Sequence, residues 1–136
     1  MFHIGLLSKV WGQKMTTKFL IVQGDVLIAE DLSQILADCI PAATINHVDD
    51  VAHAIDALEH MGTPEVAFLL GSAANSTDAA LMDLLRDRCI TTVRVGVDDH
   101  KFTEVLHDGY RVAAPFSTAD IERILTNIGL SPLGHR

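Results

Sequence analysis

The sequence predicts an α/β domain in which a doubly wound, five-stranded parallel sheet lies between two layers of helices. An unbroken apolar run, Val66 to Leu70, has the length and composition of a central strand that is buried on both faces. Five short apolar runs alternate with five segments of helical periodicity. Connections this short between parallel strands are right-handed crossovers, and they place helices on both faces of the sheet.

The first half of the domain is predicted to contain three strands and two helices. The strands occupy residues 19–22, 43–47 and 66–70. The first helix follows Gly24 and ends before Pro41, whose ring cannot continue a helix. Its buried side is expected to consist of five residues: Leu27, Ile28, Leu32, Ile35 and Leu36. Asp49 or Asp50 caps the second helix, which ends at residues 62–64.

The second half is predicted to contain three helices and two further strands. The helices occupy residues 75–88, 98–107 and 117–128, and the strands occupy residues 92–97 and 110–113. Ser117 and Asp120 have the spacing of a capping box, and Gly129 supplies a stop signal for the last helix. The commonest five-stranded arrangement with this alternation is the flavodoxin-like strand order 2-1-3-4-5, which we predict here.

Composition excludes several classes of partner. Ten Lys and Arg residues against 18 Asp and Glu residues give a net charge of −8, whereas sequence-independent nucleic-acid binding needs a basic surface. No apolar run approaches the roughly 18 residues of a membrane span, so we expect no membrane partner and a cytoplasmic location. We interpret residues 1–16 as an extension, either disordered or preceding a native start at Met15, residues 17–130 as the domain, and residues 131–136 as a tail.

Polar residues near the predicted strand ends do not form a recognisable catalytic or metal site. His53 and His60 are seven residues apart, as are His100 and His107, whereas two metal ligands on one helix are typically four apart. Ser72 follows the central strand, but the sequence places no histidine to activate it. We therefore predict no catalytic residue, no metal and no cofactor.

Four segments carry a family resemblance that covers most of the chain. They are F-L-I-V-Q-G-D-V-L-I-A-E-D-L (19–32), P-E-V-A-F-L-L-G-S (64–72), R-C-I-T-T-V (88–93) and A-A-P-F-S-T-A-D-I (113–121). These segments resemble the receiver domain of two-component response regulators, above all the stand-alone receivers of bacteria. The last segment is the most specific, since it is similar to the K-P-F segment and final helix of that family. The resemblance implies the same fold and a role in two-component signal transduction and its phosphorelays.

The resemblance also implies a phosphorylation site, and the matching positions lack its chemistry. Receivers carry an acid pair after strand one, a phosphoacceptor aspartate at the end of the central strand, a hydroxyl after strand four and a lysine after strand five. The corresponding residues here are Gln23 and Gly24 (next to Asp25), Leu70, Gly96 and Ala114. Phosphoryl transfer of this kind needs a carboxylate nucleophile and oxygen ligands for Mg²⁺. We therefore expect a degenerate pseudo-receiver that is not an enzyme and is not phosphorylated.

Two arginines stand where similar receivers carry apolar or aromatic residues. Arg94 interrupts the fourth strand, and Arg111 replaces the aromatic residue that reports phosphorylation in the family. A buried guanidinium needs a partner. Arg94 is therefore expected either to meet an acid or to extend to the surface; the candidate acids are Asp25, Glu65 and Asp98.

These observations together predict a signalling module that acts through protein–protein interaction and without phosphorylation. The resemblance implies a docking face on the fourth helix, fifth strand and fifth helix. Its residues here are His100, Lys101, Glu104, Arg111, Phe116 and Arg123. The expected partner is a histidine kinase, another regulator or a second copy of the chain in a homodimer.

The alternative function is a small-molecule-binding or catalytic domain of flavodoxin-like fold. It would use the pocket that the missing phosphorylation residues vacate, and that pocket would be bounded by Asp25, Ser72, Arg94 and Asp98.

Overall fold

In the residues that the structure describes, strands and helices alternate as predicted up to the fourth strand. The structure, a computed structural model, describes residues 17–22, 25–60, 62–75, 78–95, 109–112 and 116–130. In chain order the elements are β1 (Lys18–Val22), α1 (Val26–Cys39), β2 (Thr44–Val48), α2 (Val51–His60), β3 (Val66–Leu70), a 3₁₀ turn (Gly71–Asn75), α3 (Ala79–Asp87), β4 (Thr91–Val95), β5 (Gly109–Val112) and α4 (Thr118–Ile128). The predicted extension, the helix at 98–107 and the tail at 131–136 lie outside the described residues.

All neighbouring strands pair in parallel, in the order β2-β1-β3-β4-β5. The central strand β3 is buried along its whole length, because strands pair with both of its edges and helices cover both of its faces. Its register aligns Leu69 with Val22 of β1 and Leu70 with Val95 of β4. The predicted strand order and three-layer architecture are therefore confirmed.

Two apolar clusters hold the helices against opposite faces of the sheet. On one face, Phe19 and Phe68 make an edge-to-face contact with ring centroids 5.9 Å apart, within a cluster to which α1 and α4 contribute. On the other face, Leu20 and Leu69 belong to a cluster completed by α2 and α3. Within the described ranges, no helix has the length and apolar content needed to cross a bilayer.

The buried stripe of α1 differs from the predicted one. Leu27 is 74% exposed and Ile28 is 37% exposed, so the expectation that both lie on the buried side is wrong. The residues of α1 that are buried are Ala29, Leu32, Ile35, Leu36 and Cys39. Their spacing of three and four residues defines a stripe that begins at Ala29. Leu27 therefore falls off this stripe, and Ile28 falls at its margin.

The third helix begins later than predicted. Residues Gly71–Asn75 form the 3₁₀ turn, and α3 starts at Ala79 instead of at residue 75. Asp78 is its N-cap, since the Asp78 side chain accepts a hydrogen bond from the backbone N–H of Leu81 at 3.0 Å. Asparagine and aspartate are both good N-cap residues, so residue type alone does not choose between positions 75 and 78.

The predicted capping box begins α4. The Ser117 hydroxyl accepts from the backbone N–H of Asp120 at 3.1 Å, and the Asp120 carboxylate accepts from the backbone N–H of Ser117 at 3.0 Å. That second hydrogen bond holds the pKa of Asp120 below its usual range. Gly129 ends the helix with φ of 108°, a left-handed conformation that costs glycine little.

Candidate functional site

The carboxyl edge of the sheet is where a doubly wound fold usually binds its ligands. Each of the five described strands ends there in an aliphatic residue; these are Val22, Val48, Leu70, Val95 and Val112. Val22, Leu70 and Val95 are at most 1% exposed, and the two outer valines are half-buried. The strand ends therefore present apolar side chains where a polar active site of this fold would place its functional groups.

Leu70 is part of the apolar core. Its side chain is 1% exposed, it pairs in register with Val95, and it belongs to the cluster that contains Ile21, Phe68 and Val93. An aliphatic side chain has neither a nucleophilic atom nor an oxygen ligand for a metal ion. The end of the central strand therefore cannot itself supply the chemistry of phosphoryl transfer.

Asp25 is the carboxylate that the sequence placed beside this edge, and its role in the structure is to cap a helix. It is the N-cap of α1, and its Oδ1 accepts from the backbone N–H of Leu27 at 2.9 Å. Across the part of the chain that the structure describes, no group of three His, Cys, Asp or Glu side chains could hold a metal ion. The geometry of Asp25 is thus explained by helix capping.

The 3₁₀ turn after β3 supplies a partner for Arg94. Nη1 of Arg94 donates to the carbonyl oxygen of Ala74 at 2.9 Å, and Nη2 lies 3.4 Å from the sulfur of Met82. Of the expected acids, Glu65 accepts from a backbone N–H of β1 at 2.7 Å, and Asp98 lies outside the described residues. A turn carbonyl thus binds the half-buried guanidinium, a partner that the sequence did not predict.

Arg111 lies next to Arg94 in the register between β4 and β5 and is also half-buried. Since in-register residues of neighbouring strands point to the same face, the two arginines share the face that α2 and α3 cover. Leu69 aligns with Arg94 and continues the row on that face. At this edge, the face of the sheet that contains Leu70 is therefore apolar, whereas the opposite face carries the two arginines.

A hydrogen-bonded Asp–His pair at the start of α2 is a second helix cap at the same edge. Oδ1 of Asp50 accepts from the backbone N–H of His53 at 2.8 Å and lies 2.7 Å from Nδ1 of the His53 ring. The backbone hydrogen bond lowers the pKa of Asp50, and the side-chain hydrogen bond raises the pKa of His53. Both side chains are exposed to solvent. The pair therefore stabilises the helix end and is not enclosed as a catalytic acid–base pair would be.

Comparison with solved structures decides the fold family. SdrG from Pseudomonas melonis Fr1, in its BeF3-activated conformation, is 27% identical, with a TM-score of 0.63 over 83% of this chain and 95% of SdrG. The bacteriophytochrome response regulator RtBRR is 18% identical, with a TM-score of 0.65 over 84% of this chain and 78% of RtBRR. This chain has the receiver fold of response regulators. The predicted resemblance to receiver domains is confirmed.

A third structure with the receiver fold belongs to a longer protein. The anti-anti-sigma factor PhyR from Bartonella quintana is 15% identical, with a TM-score of 0.66 over 92% of this chain but only 52% of PhyR. No model of a known protein family matches the chain, and no curated protein matches it.

The receiver fold places Leu70 at the strand end to which the resemblance assigns the phosphoacceptor. Asp25 follows β1 and caps α1. Gln23, Gly24, Gly96 and Ala114 fall outside the described ranges, and their assignment to the other phosphorylation-site positions stays a prediction from the sequence.

The predicted docking face is described at three of its six positions. Arg123 on α4 is exposed and lies 3.4 Å from the carboxylate of Asp120. Phe116 is half-buried and packs against the core cluster, and Arg111 is half-buried on β5. His100, Lys101 and Glu104 lie outside the described residues. Among the three described residues of this face, Arg123 is therefore the most accessible to a partner.

Proposed function

We propose that the protein is a pseudo-receiver, a signalling module of receiver fold that acts through protein–protein interaction and without being phosphorylated. The observation that carries this proposal is the burial of Leu70, at 1% exposure, at the end of the central strand. The receiver likeness assigns the phosphoacceptor to this position. A leucine there offers no atom that can attack phosphorus.

The surroundings of Leu70 support the same proposal. Val22 and Val95 end the two adjacent strands and are buried. Asp25 is the acid next to the predicted Mg²⁺ position, and one carboxylate is a weak site for an ion that prefers several oxygen ligands. Its Oδ1 already accepts the helix N–H of Leu27. A phosphoryl group beside Leu70 would meet the aliphatic side chains of Val22, Leu70 and Val95 at the ends of the three central strands, which offer it neither charge nor hydrogen bonds.

Protein interaction is the mode of action that we propose for a receiver fold without phosphorylation chemistry. The solved structures that share the fold include response regulators and an anti-anti-sigma factor. We propose that a histidine kinase, another regulator or a second copy of the chain binds the face that includes Arg123. Specific recognition on such a face depends on a small number of residues, and arginine is common among them.

The absence of phosphorylation can be tested by intact-protein mass spectrometry. The purified chain is incubated with Mg²⁺ and acetyl phosphate, and an Asp25→Asn variant is treated in parallel. We expect the mass of both proteins to stay unchanged. An added phosphoryl group with the acid and base lability of an acyl phosphate would contradict the proposal, and its loss in Asp25→Asn would show that the reaction requires Asp25, as acceptor or as metal ligand.

The docking face can be tested with two matched charge reversals. Arg123 and Arg86 are both exposed helix residues, and each lies near an aspartate three residues earlier, at 3.4 Å and 2.9 Å. Affinity purification from cells that make the protein is compared for Arg123→Glu and Arg86→Glu. We expect Arg123→Glu alone to lose the bound partner, whether or not Mg²⁺ and acetyl phosphate are present. Equal binding by both variants would contradict the assigned face.

A further inference from the structure

Three consecutive apolar side chains at the start of α1 are exposed to solvent. Val26 is 63% exposed, Leu27 is 74% exposed and Ile28 is 37% exposed. We call these three residues the first-turn patch. Scattered exposed apolar residues are common, but Leu27 and Ile28 also line one shallow hollow with Glu30, Asp31 and Gln34, and an apolar group of this kind often marks a contact surface.

Acidic residues surround the first-turn patch. Asp25 precedes it, and Glu30 and Asp31 follow it on the exposed side of the helix. A groove of about 470 Å³ continues from this region along α1 and reaches the edge strand β2. It is lined by Ala29, Glu30, Ser33, Gln34, Ala37, Ile45 and His47. The patch is thus apolar with acidic residues beside it, and the groove that continues from it has a mixed polar and apolar lining.

The charge of the surrounding chain is strongly one-sided. Between Lys18 and Arg86 the sequence has no lysine or arginine, whereas the same stretch holds most of the 18 aspartates and glutamates of the protein. This stretch includes α1, β2, α2 and β3. A ligand for the first-turn patch therefore has to be apolar enough to cover it and cationic enough to complement its border.

Residues 1–16 have that composition. Their large apolar residues are Met1, Phe2, Ile4, Leu6, Leu7, Val10, Trp11 and Met15. Their charged side chains are Lys9 and Lys14, and the segment contains no aspartate or glutamate. The segment is thus complementary to the patch in both hydrophobicity and charge.

The segment is also long enough to reach the patch. It joins the domain at Thr17, whose carbonyl oxygen accepts from the backbone N–H of Thr44 at 2.7 Å at the amino end of the strands. The 14 residues of α1 run back from the carboxyl edge and extend over about 21 Å. The segment of residues 1–16, when fully extended, spans about 50 Å. Residues 2–7 can therefore reach the first turn, and Trp11 would then lie alongside the middle of α1.

We propose that residues 1–16 bind intramolecularly along α1, with the apolar residues of 2–7 covering the first-turn patch and the two lysines facing its acidic border. The covalent link keeps the effective concentration of the segment in the millimolar range, so a weak contact is enough to hold it. A cationic partner protein could use this surface only by displacing the segment. This inference does not depend on the absence of phosphorylation or on the docking face proposed above.

Trp11 provides a direct probe, because it is the one tryptophan of the chain. Quenching of its fluorescence by acrylamide is measured for the 136-residue protein and for Leu27→Asp. The control is Ala80→Asp, which places the same charge on an exposed residue at the second position of α3. We expect docking in Leu27→Asp to weaken by about tenfold or more, since the burial of one leucine corresponds to at least that change in an equilibrium constant. Ala80→Asp should leave Trp11 as protected as in the native chain.

A second variant changes the segment and leaves the folded domain untouched. The double substitution Lys9→Glu and Lys14→Glu should increase the quenching of Trp11 by acrylamide. High salt should also increase this quenching in the native protein, because salt screens the attraction between the lysines and the acidic border. The proposal is overturned if Trp11 is as accessible in the native chain as in denaturant, or if its protection survives both Leu27→Asp and the lysine reversals. Protection that grows with protein concentration would assign the patch to a second copy and would also overturn intramolecular docking.

Discussion

Replacing Leu70 by aspartate would place a carboxylate at the position that the receiver likeness assigns to the phosphoacceptor. In the structure this side chain is 1% exposed and packs within the apolar cluster between the sheet, α1 and α4. The new carboxylate would therefore lie in the core and not in a solvated cleft. Leu70→Asn is the matched control, because it has nearly the same shape and lacks the charge.

The expected cost has two parts. Loss of the buried leucine side chain removes about 2–3 kcal/mol of hydrophobic stabilisation, and both variants share this loss. The aspartate adds the desolvation of a charge, which is several kcal/mol for a buried ion and is limited by protonation of the carboxyl group. We expect Leu70→Asp to lose about 4 kcal/mol or more at neutral pH, a large share of the 5–15 kcal/mol typical of a domain.

The pH dependence separates the charge from the loss of packing. Burial raises the pKa of the new carboxyl group in the folded state above the value of about 3.9 in the unfolded state. The folded state then binds the proton more tightly, so Leu70→Asp loses stability relative to Leu70→Asn as the pH rises above about 4. The difference levels off above the folded-state pKa, and each pH unit between the two pKa values corresponds to about 1.4 kcal/mol.

Urea denaturation of both variants between about pH 4 and pH 8 measures this difference. A gap between them of less than about 1 kcal/mol at every pH would refute the reasoning, since it would mean that the edge at residue 70 already solvates a carboxylate. Stabilisation of Leu70→Asp by Mg²⁺ would refute it as well.

Three further substitutions test the local electrostatics and backbone geometry. Ser117→Ala should lower the free energy of unfolding by about 1 kcal/mol in urea, because it removes the N-cap hydroxyl of α4. Because its pKa is lowered in the folded state, Asp120 should stabilise the protein above its unfolded-state pKa, and this contribution should disappear as the pH falls through the folded-state pKa. Asp50→Asn should lower the pKa of His53 in an NMR titration and remove stability that is present below about pH 6.5 and lost as the pH rises through the folded-state pKa. Cys89→Gly should raise the free energy of unfolding by about 1 kcal/mol, since Cys89 has φ of 57° and the relief of this strain, about 1–3 kcal/mol, exceeds the entropy that glycine loses on folding.

Each of the three substitutions has a clear contrary result. Unchanged stability of Ser117→Ala would mean that water replaces the cap at no cost. An unchanged His53 pKa in Asp50→Asn would mean that the contact between the two side chains is not populated in solution. Destabilisation by Cys89→Gly would mean that the cysteine side chain contributes more than its backbone conformation costs.

The architecture was predictable because its signals are local and repeated. The apolar run at 66–70, the breaks at Pro41 and Gly129, and the capping box at Ser117 each define one element without reference to the rest of the chain. The alternation of strands and helices then leaves few topologies with short right-handed connections. The order β2-β1-β3-β4-β5 follows from these constraints.

The details that the sequence did not predict depend on contacts between distant segments. The bond from Arg94 to the carbonyl of Ala74 requires the 3₁₀ turn after β3, and no residue pattern distinguishes that turn from an early start of α3. The exposure of Leu27 depends on the rotation of α1 about its axis, which the packing of Leu32 and Leu36 against the sheet determines. Periodicity defines such a stripe only to within a residue or two at the end of a helix.

The most direct test of the central claim is an NMR titration of the native chain with Mg²⁺ and then with beryllofluoride. The amide resonances of Leu70, Asp25 and Val95 report on the carboxyl edge of the sheet. We predict that they show no saturable change with either reagent, since the strand end carries a buried leucine where a carboxylate would be needed. Saturable shifts centred on Leu70 and Asp25 would contradict the account and would identify the protein as a receiver that can be activated.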